Sequence, residues 1–209
     1  DVVVLISDNR REWAAVAFAC AGLGACLVPI YPALRPGDWR FIVEDSGATL
    51  LICGSHHVYE RAKELRAAVD GLERCISMSL SPSLADSYDS LLGNALASRD
   101  VDPESPAAIL YTAGTTGNPK GVVLSHRSFC HNVSALSQTL PLSSSDRSLS
   151  FLPWTHAFGL TCELFTIIHA GASMALARSP ERLLADCQSV GPTVFVSVPL
   201  IFNQIHDAA

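Results

Sequence analysis

Short apolar runs recur along the chain, and stretches with helical spacing separate most of them. The runs fall at residues 2–6, 26–30, 49–53, 75–78, 108–111, 149–152, 173–176 and 193–198. The helical patterns fall at 12–22, 36–46, 58–69, 88–97, 126–140, 158–170 and 180–189. Runs this apolar, bounded by turn residues and alternating with helices, are the pattern of parallel strands covered on both faces. The expected fold class is α/β, with mostly parallel sheets and helices on both faces. Several helix ends carry their own signals. Asp8 or Asn9 is placed to cap the first helix, with Glu12 at capping-box spacing from Asn9. Pro36 opens the second, Pro180 the last, and Gly47 and Gly71 stand where helices should stop.

Composition narrows the class. The chain has 209 residues, 49% of them hydrophobic and 16% charged, against about 25% charged in an ordinary domain. Disorder and coiled coil are excluded on that ground. Net charge is −6, from 20 acidic and 14 basic residues, only two of which are lysines. No basic run exists, so duplex nucleic acid has no electrostatic footprint here. Seven cysteines are scattered without any CxxC pair, which reads as reduced, mostly buried thiols in an intracellular, reducing compartment. Residues 13–34 carry no charge over about the length of a membrane span. Gly22 and Gly24 interrupt that stretch, and Pro29 and Pro32 follow, so a buried helix and strand fit better. No signal peptide pattern is present, while peripheral contact with a membrane stays open. Ser, Pro and Asp cluster near 79–89 and again at 97–105, which divides the chain into a first α/β portion, 1–105, and a second, 106–209. The strand-like opening at Asp1 and the stop at Ala209 after an apolar segment lead us to expect a piece of a longer protein.

Residues 111–122 carry the chemistry. A buried strand ends at Tyr111; Thr112, Ala113, Gly114, Thr115, Thr116, Gly117 and Asn118 follow; then Pro119, Lys120 and Gly121 precede a second apolar run. Small residues let backbone N–H groups converge on an anion. The threonines add hydroxyls, and Lys120 adds a point charge. The pattern suits a polyphosphate. It is not a Walker A loop, because Lys120 follows a proline and Gly121 leads into valines. His126 and His131 are poorly spaced for one metal, and Ser125 reads as the cap of the helix at 126. Glu163, within an apolar helix, reads as a paired buried carboxylate without a catalytic role.

The string from Tyr111 to Val122 resembles the phosphate-loop signature of the adenylate-forming superfamily, which includes acyl-CoA synthetases, luciferases and the adenylation domains of peptide synthetases. The commonest form has Ser where this chain has Ala113. The segments 9–13, 28–32 and 44–48 occur in the same order in long-chain fatty acyl-CoA synthetases, which the chain resembles over nearly its whole length. The resemblance implies a fatty acid activated by ATP to an acyl-adenylate, then transferred to CoA. It implies phosphate binding by residues 112–117 and Lys120, and a contact of Thr112 with Mg²⁺. It also aligns the loop 151–159 with the wall of the acyl pocket, so that Trp154, His156 and Phe158 would line it. Lys120 and His156 would take part in catalysis. For His156, a hydrogen-bonded place in the core is the competing reading. The family's Mg²⁺-binding Glu, ribose-binding Asp and adenylation Lys do not occur before Ala209, which implies that the 209 residues alone do not turn over. Two other readings stand beside this one: an adenylating enzyme for an aryl or amino acid, and a binding module without catalysis.

Overall fold

A computed structural model of the chain describes residues 1–93, 99–112, 117–199 and 201–203. They form two compact units, Asp1–Ser128 and a second beginning at Phe129.

The first unit holds a six-stranded sheet in the order β4-β3-β1-β2-β5-β6. Its strands are β1 (Val2–Ile6), β2 (Cys26–Ile30), β3 (Leu50–Cys53), β4 (Arg74–Ser77), β5 (Pro106–Thr112) and β6 (Lys120–Ser125). All pair in parallel except β6, which runs antiparallel to β5. The mostly parallel sheet and its helices are those expected from the apolar runs. β1 lies centrally, with Val4 opposite both Val28 and Leu51. Four of its five residues are buried, as a strand covered on both faces requires.

Alternation along the strands divides the core. Val4, Ile6, Val28, Ile30, Leu51 and Cys53 pack with α2 (Pro36–Ser46) and α3 (His56–Ala68), through Trp39, Ile42, Val43, Val58 and Ala62. The opposite face carries α1 (Arg11–Leu23), which buries Trp13, Val16, Ala17 and Cys20. The helix ends follow local chemistry. Pro36 occupies the first turn of α2, where a missing N–H costs nothing. Gly24 and Gly47 end α1 and α2 with φ of 71° and 64°, a conformation that glycine adopts without a Cβ clash.

Some expectations are corrected. The cap of α1 is Arg10, extended and without a side-chain capping bond. Glu12 is its ion-pair partner at 2.8 Å instead of the second half of a capping box. Of the helix expected at 88–97, Tyr88–Leu91 form a 3₁₀ turn and Leu92 and Gly93 are not helical; residues 94–98 lie outside the described residues. The second apolar run after Gly121 is an edge strand, with Val122 and Val123 exposed.

α4 (His126–Thr139) begins in the last residues of the first unit and continues into the second, where β7 (Arg147–Ser150) pairs in parallel with β8 (Ser173–Leu176). Ser125 caps α4 as expected, its Oγ accepting from the Ser128 N–H. The strand expected at 193–198 shrinks to one bridge, Val194 to Ser148. Beyond that bridge Phe195 stacks on Phe151 at 5.5 Å, so side-chain packing takes over from the ladder. The helix expected at 158–170 is a π-helix, Gly159–Phe165, that tightens into α5 (Thr166–His169). The Thr166 hydroxyl donates to the Thr161 carbonyl five residues back, at 2.8 Å, which fits the wider turn. The last helix begins with a 3₁₀ turn at Pro180 and continues as α6 (Leu183–Val190). No helix among the described residues is long and apolar enough to cross a membrane.

Candidate phosphate hairpin and aromatic loop

The two candidate segments lie in different units, and each is described within its own. In the first unit, β5 and β6 form a hairpin whose last paired residues are Thr112 and Lys120. Residues directly opposite on antiparallel strands point to one face, with Cβ atoms about 4.5–5.5 Å apart. The Thr112 hydroxyl and the Lys120 ammonium therefore share a face at the hairpin's end. The next pair, Tyr111 and Gly121, belongs to the other face. Tyr111 packs against the core beneath α2 and α3, and its hydroxyl donates to Asp45 Oδ2 at 2.6 Å. Burial and that carboxylate both push the Tyr111 phenol up, so it stays a donor.

Gly121 is held glycine by its neighbours. A Cβ there would lie 2.9 Å from Ile109 Cγ2 and 3.1 Å from Tyr111 Cζ. Gly117, in the connection, has φ of +127°, a region that side chains disfavour. Ala113, Gly114, Thr115 and Thr116 lie outside the described residues. Lys63 forms an ion pair with Glu60 at 2.8 Å, whereas Lys120 forms none among the described residues and is exposed. An ammonium and a hydroxyl on one face are donors suited to phosphate oxygens. They fall short of the carboxylates that Mg²⁺ usually takes. Among the described residues, no group of three or more His, Cys, Asp or Glu is gathered for a metal.

In the second unit, the loop that follows β7 is tightly built. The His156 N–H donates to the Pro153 carbonyl at 3.2 Å, and the Leu160 N–H to the His156 carbonyl at 2.9 Å. Gly159 presses against the same turn, and a Cβ there would lie 2.5 Å from the Pro153 oxygen. His156 and Phe158 are exposed, so His156 is not a core histidine. Trp154 is buried. Its indole N–H donates to Ser150 Oγ at 3.1 Å and to Glu163 Oε2 at 3.2 Å. Ser150 in turn donates to the same carboxylate oxygen at 2.6 Å. Glu163 is thus the paired buried acid that its apolar surroundings suggested. Burial raises its pKa to about 7, against the hydrogen bonds from Ser150 and Trp154.

Neither the Tyr111–Asp45 bond nor the Ser150–Trp154–Glu163 cluster is legible in the sequence. The only signals were a lone acid in an apolar helix and a tyrosine before small residues.

A family model described as AMP-binding enzyme matches residues 1–209. Long chain acyl-CoA synthetase 6, peroxisomal, of Arabidopsis thaliana is 31% identical over 212 residues, which cover 95% of this chain and 30% of that protein. The long-chain-fatty-acid–CoA ligase FadD15 of Mycobacterium bovis is 30% identical over 221 residues, covering all of this chain and 36% of that protein. Among solved structures, the inhibitor-bound N-terminal domain of FACL13 from Mycobacterium tuberculosis superposes with a TM-score of 0.83 at 27% identity, over 97% of this chain and 51% of that one. ATP-bound MatB from Rhodopseudomonas palustris shares the fold, with a TM-score of 0.82 at 24% identity, over 98% of this chain and 40% of that one. The chain spans about a third of the length of the two relatives.

Proposed function

The chain belongs to the AMP-binding enzyme family, and from that premise we propose that it is part of a ligase that activates a long-chain fatty acid with ATP and passes it to CoA. A carboxylate oxygen of the acid attacks the α-phosphorus of ATP. The bond to the bridging oxygen breaks, and pyrophosphate leaves. The thiol of CoA then displaces AMP from the acyl-adenylate, losing its proton and forming a thioester.

The single observation that carries this reading is the register that sets Thr112 opposite Lys120 at the end of the β5–β6 hairpin. Little covalent chemistry falls to the protein in such a displacement; it positions the reactants and offsets charge. In this proposal the Lys120 ammonium holds the β- and γ-phosphate oxygens. The Thr112 hydroxyl donates beside it, and residues 113–117 supply backbone donors. Mg²⁺ would arrive with the nucleotide and offset its phosphate charge, with Thr112 as the one ligand from these residues. His156 and Phe158, exposed on their loop, stand at the acyl group and adenylate, and Trp154 backs them. The 209 residues by themselves would not complete the reaction. Seven free cysteines, four of them buried, support an intracellular, reducing compartment.

The test is ATP–pyrophosphate exchange by the full-length protein, screened across fatty, aryl and amino acids. We expect exchange that depends on long-chain fatty acids. Exchange with aryl or amino acids alone would reassign the substrate, and exchange with no acid would overturn the reading.

A further inference from the structure

We propose that Glu163 is the positioning residue of the loop 153–159, fixing Trp154 and Ser150 so that His156 and Phe158 stand in one place for the carboxylic acid substrate. The proposal rests on the reading of that loop given above.

Glu163 is wholly buried. Its Oε2 receives both the Ser150 hydroxyl and the Trp154 indole, while Oε1 is buried without a partner. A carboxylate so placed, with no ion pair among the described residues, is costly, and an apolar residue of similar size would fill the space at less cost. What the acid adds is an acceptor at one defined point. The indole N–H is shared between that oxygen and Ser150 Oγ, which closes a triangle from the end of β7, through the loop, to the π-helix.

The loop has a second anchor. Gly159 lies so close to the Pro153 carbonyl that no side chain fits between them. Trp154 and Gly159 thus hold the two ends of a short turn, and His156 and Phe158 lie between the anchors, exposed. Glu163 lies in the π-helix that begins at Gly159. One helix therefore supplies the Gly159 contact and the acceptor for Trp154. Such wide turns often mark functional segments.

The groups that face the Glu163 carboxylate are the Ser150 hydroxyl, the Trp154 indole and the Phe151 backbone, none of which titrates near neutrality. The adjacent Cys162 thiol is itself pushed up by burial.

The experiment uses the full-length enzyme with Glu163→Gln, Glu163→Leu and Trp154→Phe. Glu163→Leu should raise KM for the acid about tenfold while KM for ATP stays unchanged. Glu163→Gln keeps an acceptor oxygen and should restore most of that loss. Trp154→Phe removes the donor together with part of the buried ring, and should move KM for the acid in the same direction. The indole N–H resonance that Trp154→Phe removes should shift with pH near neutrality in the wild type and stay still in Glu163→Gln. An unchanged KM for the acid in both Glu163→Leu and Trp154→Phe, with active wild type, would overturn the role of Glu163 alone. So would an indole resonance that ignores Glu163→Gln. A wild type without any acid-dependent exchange would instead overturn the functional reading, and the loop's substrate role with it.

Discussion

The Tyr111 hydroxyl donates to Asp45 at 2.6 Å, tying the end of β5 to the end of α2 one residue before the candidate phosphate segment. Tyr111→Phe removes that bond and keeps the ring. Unfolding free energy should fall by about 1 kcal/mol. Asp45→Asn in the same background should cost little more. Denaturant melts of the four forms in a double-mutant cycle check this, and additive losses would mean that the two side chains are not coupled.

Gly121 answers Tyr111 across the hairpin. Gly121→Ala places a methyl group against Ile109 and the Tyr111 ring. We expect a loss of about 1–3 kcal/mol, the usual range for an overpacked site. Thermal melts report it, and a variant as stable as the wild type would show that the ring swings aside freely.

Lys120 is exposed and forms no ion pair among the described residues. Lys120→Ala in the full-length protein should therefore leave the melting temperature in place. Adenylation should fall about a hundredfold or more, as when a preorganised charge donor is removed. Unchanged pyrophosphate exchange would remove Lys120 from phosphate binding.

Glu163 makes stability depend on pH in a definite direction. Its folded pKa of about 7 lies above the ordinary 4.5, so the folded state holds the proton more tightly. That contribution is fully present below about pH 4.5 and is lost as pH rises through 7. It amounts to roughly 3 kcal/mol. Relative to the wild type, Glu163→Gln should therefore gain stability between pH 5 and pH 8. Paired denaturation curves at those two pH values decide the matter, and a pH-independent difference would refute it.

Much of the fold was legible because its signals are local. β1 and β2 in the first unit, β8 in the second, and α2 end where apolar runs meet turn residues, with Pro36 and Gly47 bounding α2. The misses are elements whose form depends on the partner they find and not on their own periodicity. β6 exists because Lys120–Ser125 finds β5, a pairing that periodicity does not encode. The π-helix begins at Gly159, where the chain presses against the Pro153 carbonyl, a contact that helical periodicity does not encode. Arg10 rather than Asn9 stands at the N-cap position of α1, without a side-chain cap, and its guanidinium instead reaches Glu12 and the Gly54 carbonyl, at 2.8 and 2.7 Å. The candidate site divides in the same way. Thr112 and Lys120 stood out as residue types, but their common face follows only from register. Glu163 stood out as a buried acid, but Ser150 and Trp154 as its partners did not.

The hairpin register also says where the chain tolerates a change of length. Side chains on a strand alternate with a period of two. One residue inserted between Lys120 and Gly121 would keep either Lys120 opposite Thr112 or Gly121 opposite Tyr111, but not both. A residue added within 113–119 leaves both pairs intact. Engineered variation in this segment should therefore be confined to the connection, and homologues with longer or shorter connections can keep the same lysine beside the same threonine.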